Sequence, residues 1–311
     1  GINGAQCAVS CMEREWERGL RILRLARNIV QLRLPPRPST GWKAALSLPI
    51  LAVGAFAPCA GAGEPPLVAL STIDSGIRQD MRYASDNNFT GRRVPGYEAA
   101  ECWLRPAAAR ALAKVQADLV AEHPDLSLKV FDCYRPRRAV QAFVAWAGST
   151  DDGRTQHYYP NVSRNALLAR GYIGRSSNHS KGIAVDLTLV RRPAGQGNSV
   201  GTRPVADNAE APRSVACTQT SDRAFDANSL DMGTMFDCFD RKSHTQAAGL
   251  TGEQRSARQM LTRLMERRGF QNYAKEWWHF TYGGGGGDND GRSFDMPVQA
   301  PPSQEPQATG K

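Results

Sequence analysis

No Cys-x-x-Cys pair and no His-Glu-x-x-His run occurs in these 311 residues, and histidine appears only five times. The first absence excludes a zinc knuckle or a thioredoxin-like redox site. The second excludes the metallopeptidases that carry two ligands on one helix. The basic residues form no aromatic-interleaved stripe, which sets nucleic-acid binding aside despite a net charge of +9. Seven Arg and one Lys against Glu13, Glu15 and Glu17 put more than half of that excess into residues 1–62. No internal repeat is visible, and the apolar run Ala44–Ala57 is short for a membrane span.

That run follows Lys43 and precedes Ala60-Gly61-Ala62, the order of a secretory signal with a small-residue cleavage site. Residues 1–62 are therefore expected to be a leader, with an amphipathic extension ahead of the signal. The mature protein is expected to be periplasmic or secreted, with no stable membrane span once the signal is removed. An N-terminal buried helix on a cytoplasmic protein is the alternative. Cleavage after Ala62 leaves Cys102, Cys133, Cys217 and Cys238, an even number that an oxidising compartment can pair. Three pairings are open. The expected one joins Cys102 to Cys133 and Cys217 to Cys238, against four reduced, buried thiols.

A chain of this length buries one sizeable core, so one domain is expected over 63–283. Pro106 opens a helix that Pro124 closes, with Leu112, Val115, Leu119 and Val120 along one face. Leu126–Asp132 reads as a strand and the stretch after Arg135 as a second helix. Thr251 and Gln254 form a capping pair ahead of a third helix that stops by Gly269. Residues 191–230, rich in Gly, Pro, Ser, Asn and Asp, have no period and read as a surface insertion. Composition makes 284–311 a disordered tail. This order predicts an α+β fold, a small antiparallel or mixed sheet with helices to one side.

The stretch Ile183–Leu189 alternates, and Asp186 sits among its apolar residues. A bare carboxylate buried there would cost on the order of several kcal/mol, so it needs a partner. His179 lies seven positions earlier across Gly182, close enough for a bend to bring imidazole and carboxylate together. Of the other histidines, His123 ends a helix and His157 lies in a polar loop, both ordinary surface positions. His244 follows "MGTMFD" and is a weaker candidate. His279 stands in "KEWWHF", three residues after Glu276 and between large aromatics that would dry a site. In a regular strand Glu276 and His279 point to opposite faces, so they converge only with a bulge or if Glu276 lies on the bend entering it. An ion pair for Glu276 and simple packing for His279 is the structural alternative. Together, His179, Asp186 and His279 make a three-ligand set for one Zn²⁺ per chain, with Glu276 as the base beside it. Two His and one carboxylate also suit non-haem iron.

"SNHSKGIAVD" and "EWWHF" resemble the two signatures of the M15 family of zinc D-alanyl peptidases. "MRYASDNNFTG", "FDCYRP" and "MGTMFD" are similar to its VanX-type D-alanyl-D-alanine dipeptidase branch, and the likeness runs from about residue 67 to 283. The resemblance implies a hedgehog/D-Ala-D-Ala peptidase-like zinc fold. It implies His179, Asp186 and His279 as zinc ligands, Glu276 as catalytic base, and Arg135 as the cation that stabilises the tetrahedral intermediate. It further implies Asp237 as the acceptor of the substrate's free ammonium, with Ser177 and Tyr83 as substrate contacts. The implied substrate is the small dipeptide D-Ala-D-Ala. The long 191–230 insertion departs from that branch and is expected to narrow or re-shape the substrate cleft; the signal is a second departure, and suggests scavenging of wall-derived dipeptide. A D,D- or L,D-carboxypeptidase acting on wall stem peptides, or a non-catalytic wall-binding module on the same fold, are the alternatives.

Overall fold

The computed structural model describes residues 66–192, 215–219, 228–284 and 291–302. The expected leader, its signal run and most of the 191–230 stretch lie outside these residues. β1 (Val68–Ala69) leads into one helical turn, α1 (Leu70–Ile73), and then β2 (Arg78–Gln79). β3 (Trp103–Leu104) pairs with β1 and precedes α2 (Pro106–Glu122). Pro106 suits the first turn of α2 because its missing N–H is unneeded there and its φ is already helical. Next come β4 (Leu126–Asp132), α3 (Arg137–Ala147) and β5 (Ala184–Arg191). α4 (Gly252–Glu266), β6 (Phe270–Asn272) and β7 (His279–Tyr282) follow. The Thr251 hydroxyl accepts from the Gln254 N–H, and the Gln254 side chain accepts from the Thr251 N–H, so the expected capping box forms.

Five strands make one sheet in the order β2–β4–β5–β7–β6. β2 and β4 run parallel and every other pairing is antiparallel, so the sheet is mixed and the class is α+β. Leu128 lies opposite Leu189 and Val130 opposite Leu187, which gives β4 and β5 a shared apolar face. α2 packs on β4, α4 packs on β5 and β6, and the two helices touch. Both faces are covered, since β4 is buried throughout and β5 to its penultimate residue. Phe131 stacks on Phe236 from the 231–240 loop, with ring centroids 4.6 Å apart.

Between Val130 and Asp132 the register of β4 slips by one, so Asp132 stands opposite Asp186. Such a bulge re-aims the side chains that follow it. It brings two carboxylates together at the end of the sheet where β4, β5 and β7 meet the loops.

Both expected disulfides form, Cys102–Cys133 and Cys217–Cys238. The Arg191 N–H donates to the Asn228 carbonyl and the Leu230 N–H to the Leu189 carbonyl. The stretch after β5 therefore leaves and returns at one sheet end.

The C-terminal stretch differs from its expected disorder over residues 291–302, which form a strap. Val298 is buried and pairs with Tyr97, and the Phe294 N–H donates to the Ser180 carbonyl at 2.8 Å. Tyr134 donates its hydroxyl to the Met296 carbonyl at 2.9 Å. The Asp295 carboxylate accepts from the Arg138 N–H at 2.8 Å and so caps α3, whose own N-cap, Pro136, has no side-chain acceptor. These contacts rest on a few spaced residues, a pattern that bulk composition does not register. Residues 285–290 and 303–311 of that tail lie outside the description. Among the described residues no helix is long and apolar enough to cross a membrane.

Candidate active site

His179 sits in a short 3₁₀ turn, Asn178–Lys181, capped at its start by the Ser177 hydroxyl, which accepts from the His179 N–H at 3.2 Å. The turn ends at Gly182, whose φ of 71° is left-handed. A Cβ there would stand 2.4 Å from the Leu67 Cδ2. Gly182→Ala combines backbone strain with that clash, and it is expected to cost about 2 kcal/mol or more in urea unfolding. A loss under about 0.5 kcal/mol would show that the turn tolerates a side chain.

The His179 Nδ1 lies 2.6 Å from the Cys133 carbonyl, which accepts its proton and leaves the Nε2 lone pair free. That Nε2 is 3.1 Å from the His279 Nδ1 and 3.3 Å from the Asp186 Oδ1. The His279 Nδ1 is 3.0 Å from the same Asp186 oxygen. Three elements deliver these atoms: the turn before β5, β5 itself, and the first residue of β7, which stands opposite Asp186.

Metal bonds of about 2.0–2.1 Å in a tetrahedron would put donor atoms roughly 3.3 Å apart. The three donors fit that spacing. They are the only such His/Cys/Asp/Glu group among the described residues. Burial alone would raise the Asp186 carboxyl, but the imidazoles of His179 and His279 hold it below the ordinary carboxylate range. Burial alone would lower His279, and Asp186 overrides it and raises it. A carboxylate kept ionised and a ring that can shed its proton suit a cation.

Glu276 lies on the bend between β6 and β7, one of the two arrangements that the sequence allows for it to face His279. Its N–H donates to the Tyr273 carbonyl and its own carbonyl accepts from the His279 N–H, closing the turn. Asn272 braces the bend by donating to the carbonyls of Glu276 and His279. The Glu276 Oε2 reaches to 3.7 Å from the His279 Nδ1. Burial pushes its carboxyl up to about 7, with Asp186 adding to the rise and His279 and Arg135 opposing it. Trp277 and Trp278 are buried beside it, and Trp277 donates to the Thr234 hydroxyl.

Arg135 lies three residues beyond the last residue of β4. Its Nε and Nη2 both donate to the Asp132 Oδ2, at 2.9 and 2.8 Å, and Nη2 is 3.6 Å from the Asp186 Oδ2. The guanidinium also rests over the rings of Tyr83 and Phe143, 5.3 and 5.0 Å from their centroids. Asp132 is the residue that sequence reasoning missed. It is fully buried, accepts from the Tyr97 hydroxyl at 2.6 Å, and lies 3.4 Å from the His179 Nδ1. It thus orients a candidate ligand and the candidate cation together. Asp186 drew notice as an acid set within an apolar strand; Asp132, which ends β4, raises the same cost of burial, but residue type alone does not tell which way it points.

A cavity of about 280 Å³ opens onto this cluster. Tyr83, Arg135, Ser177, Asp237 and Glu276 line it together with the three candidate ligands. Tyr83 donates its hydroxyl to the Asp237 Oδ2 at 2.9 Å. Burial, then the charge of Asp186, pushes the Asp237 carboxyl well above its ordinary value. Three carboxyls against one guanidinium leave the cavity wanting positive charge, which a cation and a cationic ligand would supply. His123 closes α2, the His157 ring packs on Tyr158, and His244 follows a 3₁₀ turn; none of them lines the cavity.

This sheet, with two imidazoles and three acids lining one cavity, is the arrangement of a metal-dependent peptidase. The chain matches peptidase family M15, described as D-Ala-D-Ala dipeptidase, over residues 64–204 and 204–299, and it belongs to that family. It is 34% identical over 218 residues to a D-alanyl-D-alanine dipeptidase of Enterococcus faecalis, covering 70% of this chain and 91% of the relative. A D-alanyl-D-alanine dipeptidase of Streptomyces coelicolor is 35% identical over 208 residues, 67% and 86% of the two chains. One from Escherichia coli is 29% identical over 214 residues, 69% and 83%.

Proposed function

We propose that this chain is a zinc-dependent dipeptidase that hydrolyses D-Ala-D-Ala to two D-alanines. The observation that carries this reading is the approach of the His179 Nε2, Asp186 Oδ1 and His279 Nδ1 to within 3.0–3.3 Å of one another, with Glu276 at their side. The names of the relatives supply the substrate class. A bound Zn²⁺ would polarise the scissile carbonyl and lower the pKa of an attacking water towards about 7.

Glu276 takes the proton from that water and passes it to the leaving amine, for which a carboxylate with a raised pKa is suited. Arg135 is already oriented by Asp132 and two aromatic rings, so its charge meets the developing oxyanion without reorganisation. Asp237, buried and held by Tyr83, binds the free ammonium and restricts the substrate to unblocked dipeptides. Ser177 holds the His179 turn and faces the cavity, within reach of the peptide.

Chelation is expected to abolish D-Ala-D-Ala hydrolysis, and one Zn²⁺ per chain to restore it; full activity in metal-free protein would end the reading. Comparison of D-Ala-D-Ala with its N-acetyl derivative addresses the substrate, and a preference for the blocked peptide would indicate a carboxypeptidase.

Residues 1–62 act, in this proposal, as a leader that exports the domain, and the two disulfides support an oxidising destination. An exported dipeptidase would scavenge wall-derived dipeptide. Recovery of the tagged mature protein from the cytoplasm alone would overturn that part.

A further inference from the structure

Asp237 is the only residue other than glycine among the described residues with a left-handed φ, at 59°. Aspartate visits this region more readily than most side-chain-bearing residues, for which it costs about 1–2 kcal/mol, and the surroundings hold it there. Here they act from outside the loop. The next residue, Cys238, is bonded to Cys217, and two residues earlier the Met235 N–H donates to the Cys217 carbonyl at 2.9 Å. Cys217 is itself anchored, because its N–H donates to the His157 carbonyl at 2.8 Å. On the far side the Phe239 N–H donates to the Tyr158 carbonyl at 2.8 Å. Cys217, Met235 and Cys238 form a small buried cluster of their own, apart from the main core. The strained turn is thus gripped on both sides of Asp237 by one cross-linked strut.

We propose that the Cys217–Cys238 cross-link is a specificity element, holding the 235–239 turn so that Asp237 presents its carboxylate beside Tyr83 to the substrate's free ammonium. This rests on the reading of Asp237 as the ammonium site and adds what fixes it. A cross-link serving stability alone would alter unfolding without changing selectivity. One that positions Asp237 alters KM for the free dipeptide and the preference over the blocked one, while the metal ligands and the base, which other elements of the fold deliver, keep kcat.

The test compares the native enzyme, a Cys217→Ser/Cys238→Ser variant and an Asp237→Asn variant, each zinc-loaded and folded by circular dichroism. Should the serine pair fail to fold, Cys217→Val/Cys238→Ala fills the same buried space without the bond. The cysteine variant is expected to raise KM for D-Ala-D-Ala about tenfold, with kcat within about twofold, and to cut the preference over N-acetyl-D-Ala-D-Ala by a similar factor. If Asp237→Asn shifts KM and preference while the cysteine variant shifts neither, or lowers only kcat, the positioning role is overturned and the ammonium reading stands. If Asp237→Asn leaves both unchanged, the ammonium reading fails and the inference with it.

Discussion

Replacing Glu276 with glutamine is expected to lower kcat for D-Ala-D-Ala by about 10²–10⁴-fold while the zinc content stays at one ion per chain. The amide keeps the size of the side chain and can still hydrogen-bond, but it cannot accept the water's proton. Its backbone place on the β6–β7 bend depends on Tyr273 and Asn272, which the substitution leaves alone. The pH profile gives a second reading of the same group. Burial holds the Glu276 proton up to about 7, well above an ordinary carboxyl. The active form is the deprotonated one, so activity is lost as pH falls through that value, about tenfold per unit. A dication beside the carboxylate favours the charged form and moves this limb downward, so it should lie at or below about 7. Glutamine should remove the limb. A glutamine variant of undiminished rate would eliminate Glu276 as the base.

Arg135→Ala is expected to reduce kcat by about 10²–10³-fold, the loss typical of a donor aimed at a developing oxyanion. Lysine should not restore it. The Asp132 carboxylate takes two donors from the guanidinium fork, and the planar group rests on Tyr83 and Phe143, arrangements that an ammonium cannot reproduce. Steady-state kinetics separate the possibilities. A rise in KM at constant kcat would make Arg135 a ground-state binding group, and would remove it from the stabilisation of the transition state.

Much of the site was legible from residue type and local spacing. Asp186 within an apolar strand, His179 ahead of a glycine, and Glu276 three residues before His279 each pose a local problem that a shared cation would solve. The Thr251–Gln254 capping box and the Pro106 helix start were readable because caps and first turns are settled within about four residues of chain. Asp132 was not, because its direction depends on a register slip between Val130 and Asp132 that is set by pairing with β5. The ordered strap was hidden for a related reason. Phe294, Asp295, Met296 and Val298 take their structure from Ser180, Arg138, Tyr134 and Tyr97, far away along the chain.

By itself, then, the order of residues determined the longer elements, the candidate ligands and the acid beside them, since those follow from periodicity and side-chain chemistry over short range. Only the tertiary structure decided how Asp132 seats Arg135, how the cross-link from Cys217 to the neighbouring Cys238 grips Asp237, and how the C-terminal segment caps α3. Each of those needs partners brought together by the collapse of the whole chain, and no local rule contains them.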